Sequence, residues 1–320
     1  MLLNRRHALA TGLAGMAALA LPRAAAALVP ASGQQVPGVY RRKVGDIEVT
    51  AILDGFVPLN TQVFIGADPA ELKAILAANG QTENLPTAVN AFVVNTPNRT
   101  YLVDTGAGSS EAFGPTLGRL AANLTVAGID PAGIDAVLLT HAHVDHIVGL
   151  LGPEGQARFP NAEVVLHETE QAFWADDGNL SRAPDGMKPL FAAARDALKP
   201  YAARVRTVKA GEVGPGIVLE EAPGHTPGHS VFRVTSGSDQ LLLIGDTIHN
   251  AAIHTRRPQT GFAFDVDPVQ AAASRRRIFD MISADGMLVA GTHVSFPGFG
   301  RVLRDGDAFK YVAADWSYTL

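Results

Sequence analysis

The 320-residue chain reads as an α/β fold in which two β-sheets pack face to face with helices outside, forming one domain. Three observations predict it. Strands followed by helices occur once before about residue 200 and again after it, no Pro/Gly-rich linker parts the halves, and several apolar runs end in glycine beside a histidine or aspartate. A doubly wound sheet would show the same alternation, so periodicity alone leaves both arrangements open.

In chain order, Asp46 to Leu53 alternates polar and apolar residues and ends at Asp54-Gly55, a strand and its turn. A helix follows. Asp68-Pro69-Ala70-Glu71 supplies an N-cap, a proline at the first helical position and a carboxylate in the first turn, and Asn79-Gly80 stops it. Ala88 to Val94 and Thr100 to Val103 read as strands, residues 114–127 as a helix, and Ala136 to Leu139 as a buried strand. Ala162 to Leu166 is a strand, and Glu168 to Ala175 and Lys188 to Leu198 are helices separated by Asp176-Asp177-Gly178-Asn179. Then strands return: Val205 to Lys209, Ile217 to Glu221, Ser230 to Val234 and Gln240 to Ile244, with residues 236–239 as a hairpin turn. Asp267-Pro268 caps a helix reaching about Ile282, Met287 to Ala290 is a strand, and a last hairpin turns at Asp305-Gly306.

The chemistry is concentrated in Thr140-His141-Ala142-His143-Val144-Asp145-His146. In an extended segment His141 and His143 share a face and can hold one metal ion, while the turn that follows re-aims Asp145 and His146 toward a second. Further ligands are available at strand ends. His225 follows Gly224, Asp246 ends Leu243-Ile244-Gly245, and His293 ends Val289-Ala290-Gly291-Thr292, each with glycine giving backbone room beside a polar side chain. His229, His249 and His254 stand outside this pattern and read as packing neighbours of the site, and His167 shows no partner at ligand spacing.

This order, His-x-His-x-Asp-His, a lone His, Asp, then His, resembles the metallo-beta-lactamase superfamily. The resemblance implies the four-layered αβ/βα sandwich, with metals at one sheet edge. It implies that His141, His143 and His225 hold one ion, that Asp145, His146 and His293 hold another, and that Asp246 bridges them. Such a pair lowers the pKa of a shared water and polarises a carbonyl or phosphoryl oxygen, and Asp145 can relay a proton, so the implied reaction class is metal-assisted hydrolysis. The run Val103-Asp104-Thr105-Gly106 matches one in which the aspartate orients a ligating histidine from behind; an Asx-turn role for Asp104 fits equally, and the two are compatible. No cysteine is present, so the metals must be held by nitrogen and oxygen, which admits zinc, manganese, iron or cobalt. Zinc is preferred by resemblance alone.

Local sequence narrows the resemblance to the methyl parathion hydrolases, exported two-zinc organophosphate triesterases. Residues 113–124, Phe173-Trp174 with Asn179-Leu180 and Ala183-Pro184, and His293-Val294-Ser295-Phe296-Pro297-Gly298 carry it. It implies that Phe113, Trp174 and Phe191 rim the substrate pocket, although aromatics at helix spacing also read as core. An apolar, aromatic-rimmed pocket suits a neutral ester, either an aryl phosphotriester or a lactone, with the lactone or ester ranked as the natural substrate. Arg256-Arg257 either contacts an anionic substrate or is an exposed pair.

The first residues are a separate matter. Asn4-Arg5-Arg6-His7, an uncharged apolar run from Ala8 to Leu21 and the small residues after Pro22 read as a signal peptide over residues 1–26, with Arg5-Arg6 resembling a twin-arginine signal. A linker over residues 27–39 and one hydrolase domain over 40–320 follow. Fourteen apolar residues are short for a bilayer span, so the expectation is a periplasmic or secreted protein without stable membrane association. Removing residues 1–26 takes away three arginines and no acids, moving the formal charge from −5 to −8, which disfavours nucleic-acid binding. The oligomeric state is open, a homodimer being one option. Rival functions are a beta-lactamase, which needs a cation for the antibiotic carboxylate, a glutathione thioesterase, which needs a basic patch, and a non-catalytic metal-binding protein.

Overall fold

The computed structural model describes residues 30–110 and 114–320, so the expected signal peptide and Phe113 lie outside the described residues. The strands in order are β1 (Val39–Val44), β2 (Ile47–Asn60), β3 (Phe64–Ile65), β4 (Asn84–Asn95), β5 (Thr100–Val103), β6 (Ala136–Leu138), β7 (Glu163–His167) and β8 (Val205–Val208). They continue as β9 (Gly211–Gly214), β10 (Ile217–Glu221), β11 (Ser230–Ser236), β12 (Asp239–Leu243), β13 (Gly261–Phe262), β14 (Leu288–Ala290), β15 (Phe299–Asp305) and β16 (Ala308–Ala313). The helices are α1 (Pro69–Ala78), α2 (Leu120–Val126), α3 (Val144–Ile147), α4 (Glu168–Ala175), α5 (Asp177–Arg182), α6 (Lys188–Leu198), α7 (Ala251–Arg256) and α8 (Pro268–Ala284).

Two seven-stranded sheets form, in the orders β1-β2-β4-β5-β6-β7-β8 and β16-β15-β14-β12-β11-β10-β9. The reason is visible in the side-chain alternation. Along β4, Phe92 and Val94 enter the core between the sheets while Ala91 and Val93 enter the core under the helices, and along β12 Leu241 and Leu243 alternate with Leu242 in the same way. A strand apolar on both faces must be covered twice. Ile134, Leu124, Trp174 and Phe191 cover the first sheet from outside, and Ile278, Phe279 and Ile282 of α8 cover the second. Helix, sheet, sheet, helix is the four-layered sandwich expected from the sequence. A small sheet pairs β3 with β13 and packs with Leu72 and Leu76 of α1 into a separate cluster.

Several boundaries differ from the expectation. Asp54-Gly55 is not a turn: β2 runs on to Asn60, and the register with β4 shifts between Leu53 and Gly55, a bulge that turns the Asp54 carboxylate inward. There it accepts backbone N–H bonds from Ala107, Gly118 and Leu120 at 2.9 to 3.0 Å. Residues 114–119 are not helical either, because Gly118 takes φ +85°, and α2 starts only at Leu120. The segment after α4 contains α5, capped by Asp176, and strands β1 and β9 and helix α7 had no expected counterpart. Helices α1, α4 and α6 begin and end where the sequence places them. No helix among the described residues is long and apolar enough to cross a membrane.

Candidate metal centre

The ligand-type side chains all sit just beyond strand ends. Strand β6 leads into the residues 139–143 that carry His141 and His143, and α3 then turns Asp145 and His146 back toward the same point. His225 lies between β10 and β11, Asp246 in a tight turn after β12, and His293 after β14. The first cluster therefore comes from one sheet and the last three residues from the other. All seven are buried, with no more than 8 % exposure.

They form two groups that meet at Asp246. His141 Nε2 lies 3.0 Å from His143 Nδ1, which lies 2.9 Å from His225 Nε2, and His225 Nε2 is 3.1 Å from Asp246 Oδ2. In the second group Asp145 Oδ2 is 3.7 Å from His146 Nε2 and 3.6 Å from His293 Nε2. Asp246 reaches both, with Oδ1 3.1 Å from His146 Nε2 and Oδ2 3.1 Å from His293 Nε2.

The protons are spoken for elsewhere. His146 Nδ1 donates to Asp104 Oδ2 at 2.8 Å, His225 Nδ1 to Asp265 Oδ1 at 2.8 Å, and His293 Nδ1 to the Ala88 carbonyl at 2.8 Å. Thr140 Oγ1 donates to Asp104 Oδ2 and so accepts from His141 Nδ1 at 3.1 Å. Each of these four imidazoles thereby turns a lone pair inward, while His143 faces His141 and His225 through Nδ1. His146 Nε2 and Asp246 Oδ1 are buried without a hydrogen-bond partner although they face each other. Lone pairs facing lone pairs are repulsive unless a cation lies between them, and this donor set of imidazoles and carboxylates suits a divalent ion.

Without a metal ion, protons answer the same demand for positive charge: burial opposes a charged His146, but Asp246, Asp104 and Asp145 outweigh it and hold the imidazole well above the ordinary histidine value. Burial opposes the charge on Asp246, yet the surrounding imidazoles, His146 foremost, hold its carboxyl well below the usual carboxylate range. Burial also opposes a charged His225, but Asp246 and Asp265 outweigh it and hold the imidazole up at about 9. Burial and neighbouring imidazoles keep His141 and His143 far below the ordinary histidine value.

Asp104 sits where it can orient His146, and it adopts φ +59°, a left-handed conformation that aspartate tolerates. Its Oδ1 also accepts from the Thr140 N–H at 2.8 Å. His229 supports Asp246, accepting its backbone N–H on Nε2 at 3.0 Å while Nδ1 donates to the Ala222 carbonyl. His249, set outside the ligand pattern by the sequence, touches it: Nε2 is 3.1 Å from Asp246 Oδ2, and the ring stacks on Phe262 at 3.7 Å. Asp246, His249 and His293 form a third, overlapping group of ligand atoms. His167 caps α4 and pairs with Glu221.

The aromatic rim is differently built from the one expected. Trp174 and Phe191 are buried core residues, 2 % and 1 % exposed, and neither lines the cavity above the ligands. Their helices are amphipathic, and these positions face the first sheet. The cavity is walled instead by Val57, Leu59, Leu190, Phe262 and Phe264, with His143, Asp145, His225, Asp246, His249 and His293 at its floor. Arg256 pairs with Asp305 and Arg257 with Glu71, and neither lines it.

Residues 84–293, the stretch that holds all seven ligand-type residues, match the family model described as the metallo-beta-lactamase superfamily. The chain belongs to the metallo-beta-lactamase superfamily. Among solved structures of the superfamily, a hydrolase named AbOPH superposes with a TM-score of 0.84 at 31 % identity, over 89 % of this chain and 100 % of that one. AidC, a dizinc quorum-quenching lactonase in complex with a homoserine product, superposes with a TM-score of 0.83 at 26 % identity over the same shares. By sequence, the N-acyl homoserine lactonase AttM of Azorhizobium caulinodans is 30 % identical over 176 residues, 51 % of this chain and 60 % of the relative. A metallo-hydrolase of Mycobacterium tuberculosis is 23 % identical over 220 residues, 60 % of this chain and 66 % of the relative. The chain thus spans less than two thirds of the length of these curated relatives.

Three supports of this superfamily site escaped the sequence. Asp265 orients His225 but lies two residues before the Asp267-Pro268 helix cap and reads as part of it. Asp54 reads as a turn residue, and Glu170 as an acid in the first turn of a helix. The only available signal was an acidic side chain next to an apolar run, which is too common to single any of them out.

Proposed function

We propose that this protein is a metal-dependent hydrolase of neutral esters, with a lactone bearing an apolar chain as its substrate. What carries the reading is the cavity: five of the ligand-type residues lie at its floor, its walls are aliphatic and phenyl groups, and no lysine or arginine is among its described lining residues. Uncharged apolar walls with no cation among them favour a neutral, chain-bearing substrate over the anionic antibiotic of a beta-lactamase. The lactonase relatives AidC and AttM support the same choice. A wider groove of about 450 Å³ reaches the floor at Thr87, His249 and His293 and is lined by Gln81, Thr82, Asn84, Asn250 and Ser295, which are neutral hydrogen-bonding groups fit for a polar head.

Two divalent ions, zinc by analogy with the dizinc neighbour, would supply a water of lowered pKa and a polarised ester carbonyl. His141, His143 and His225 would hold one and Asp145, His146 and His293 the other, with Asp246 shared. Asp145 is placed beside His146 and His293 on the cavity floor, where its carboxylate can hold a proton and pass it to the departing alkoxide. The apolar walls exclude bulk water, and the chamber, about 30 Å³ as it stands, would widen to admit a chain. An aryl phosphotriester is the second reading, favoured by the same uncharged cavity, and its phenolate would leave without a proton. Export through residues 1–26 belongs to the proposal as well, and N-terminal sequencing of periplasmic protein tests it.

The deciding experiment compares an N-acyl homoserine lactone, a p-nitrophenyl triester and nitrocefin, with and without chelator, on wild type and Asp145→Asn. Lactone turnover should vanish on chelation, return with zinc and drop sharply in the variant. Turnover that survives both treatments, or nitrocefin cleaved faster than the lactone, overturns the proposal.

A further inference from the structure

We infer that Glu170 is a positioning residue that sets the spacing of the His141, His143 and His225 group and leaves the other group untouched; this rests on the metal-centre reading above. Glu170 belongs to α4, is fully buried, and has no cationic partner among the described residues. Its carboxylate is met by four donors. Oε1 accepts from the Ala142 N–H at 2.9 Å and from Trp174 Nε1 at 2.7 Å, and Oε2 accepts from Thr226 Oγ1 at 2.6 Å and the Gly228 N–H at 3.0 Å. Ala142 lies between His141 and His143, and Thr226 follows His225. One carboxylate oxygen therefore grips the ligand loop of the first sheet and the other grips the ligand loop of the second.

The approach is close enough to dictate sequence. A Cβ at Gly228 would stand 2.2 Å from the Glu170 backbone nitrogen, so the loop can lie against α4 only with glycine there. Held this way, His143 Nδ1 and His225 Nε2 come to 2.9 Å across the two halves of the sandwich. In the other group, His146 and His293 have their own supports in Asp104 and the Ala88 carbonyl.

All four donors require an acceptor, and only a carboxylate offers acceptors on both sides. Glutamine has the same shape but places an NH2 group against one donor pair, so Glu170→Gln should release one of the two loops. Trp174 makes the consequence visible. Its Nε1 shares Oε1 with Ala142, and its ring lies edge-on to His143 with centroids 5.6 Å apart, whereas Trp316, the other tryptophan, is 54 % exposed and packs at a tilt against Tyr40.

The test is a zinc titration of metal-free protein in a Trp316→Phe background, following Trp174 emission and counting bound zinc by elemental analysis. The parent should bind two equivalents, one of them changing the emission. In Glu170→Gln the emission-linked step should move to about tenfold higher zinc or beyond, with the other step unchanged. Thr226→Val removes one donor and keeps the charge, and should move the same step about fivefold, deciding the matter alone if Glu170→Gln does not fold. Unchanged binding, or both steps weakening by one factor, overturns the role of Glu170. A parent that takes up no zinc overturns the metal-centre reading itself.

Discussion

Asp265 accepts a hydrogen bond from His225 Nδ1 at 2.8 Å, and its other oxygen accepts the Phe262 N–H at 2.8 Å, so one carboxylate fixes both a ligand and a cavity wall. Replacing it with alanine frees the imidazole to rotate. Zinc affinity should fall about 10- to 100-fold, and chelator competition reads this directly. The cavity wall should loosen as well, raising KM for the lactone.

Asp104 does the corresponding work for His146, holding Thr140 with the same carboxylate. Asparagine tolerates its left-handed backbone but turns an NH2 group toward one of these donors. Asp104→Asn should weaken the zinc held with His146 about tenfold or more, and the other by a smaller factor, because the Thr140 hydroxyl that Asp104 holds also accepts from His141 Nδ1. Two equal losses in a titration calorimeter would contradict this.

Acid should destabilise the metal-free protein through histidines that stay neutral in the fold and become charged in the unfolded chain. Burial pushes His229 down to about 4 and His249 to about 3, so both stay neutral in the fold while the unfolded chain protonates near 6.5. For a histidine lowered in the fold, stability is complete above the unfolded value and declines as pH falls toward the folded one. His225, raised to about 9, has already given its full contribution below 6.5 and does not offset the loss. Urea melts from pH 7 to 4.5 should show a decline on the order of 1.4 kcal/mol per pH unit for each such group, and a flat profile would refute it.

Leu190 projects from α6 into the cavity wall, next to the core residue Phe191. Leu190→Trp should raise KM for a long-chain lactone at least several-fold and leave a short-chain one nearly unchanged. Phe191→Ala should instead destabilise the fold by about 3–5 kcal/mol through a core cavity. A thermal melt and a chain-length series separate the two effects.

Arg256→Ala should change neither KM nor stability by more than about 0.5 kcal/mol, since its partner Asp305 is half exposed.

The sequence was most legible where one residue type performs one job. The His-x-His-x-Asp-His run and the three later ligand-type residues meet because each follows a strand end, and the strands β6, β12 and β14 leave apolar runs that periodicity can register. Helix α1 was legible through its cap. The cavity walls were not: Val57, Leu59 and Phe262 are ordinary strand residues until the bulge at Asp54 and the pairing of β3 with β13 aim them at the metal centre. Trp174 and Phe191 erred the other way, since their aromatic character could not tell a pocket rim from the core behind it. Glu170, Asp265 and Asn90 act across tens to hundreds of residues; Asn90 Nδ2 donates to the Gly291 and Val294 carbonyls on the opposite sheet.

Because His293 emerges from the ribosome last of the seven, the second group cannot close on a nascent chain that already displays His141, His143 and His225. The seven ligand-type residues can come together only once β14 has joined the second sheet, so the pocket is completed by the last part of the sheet to be made.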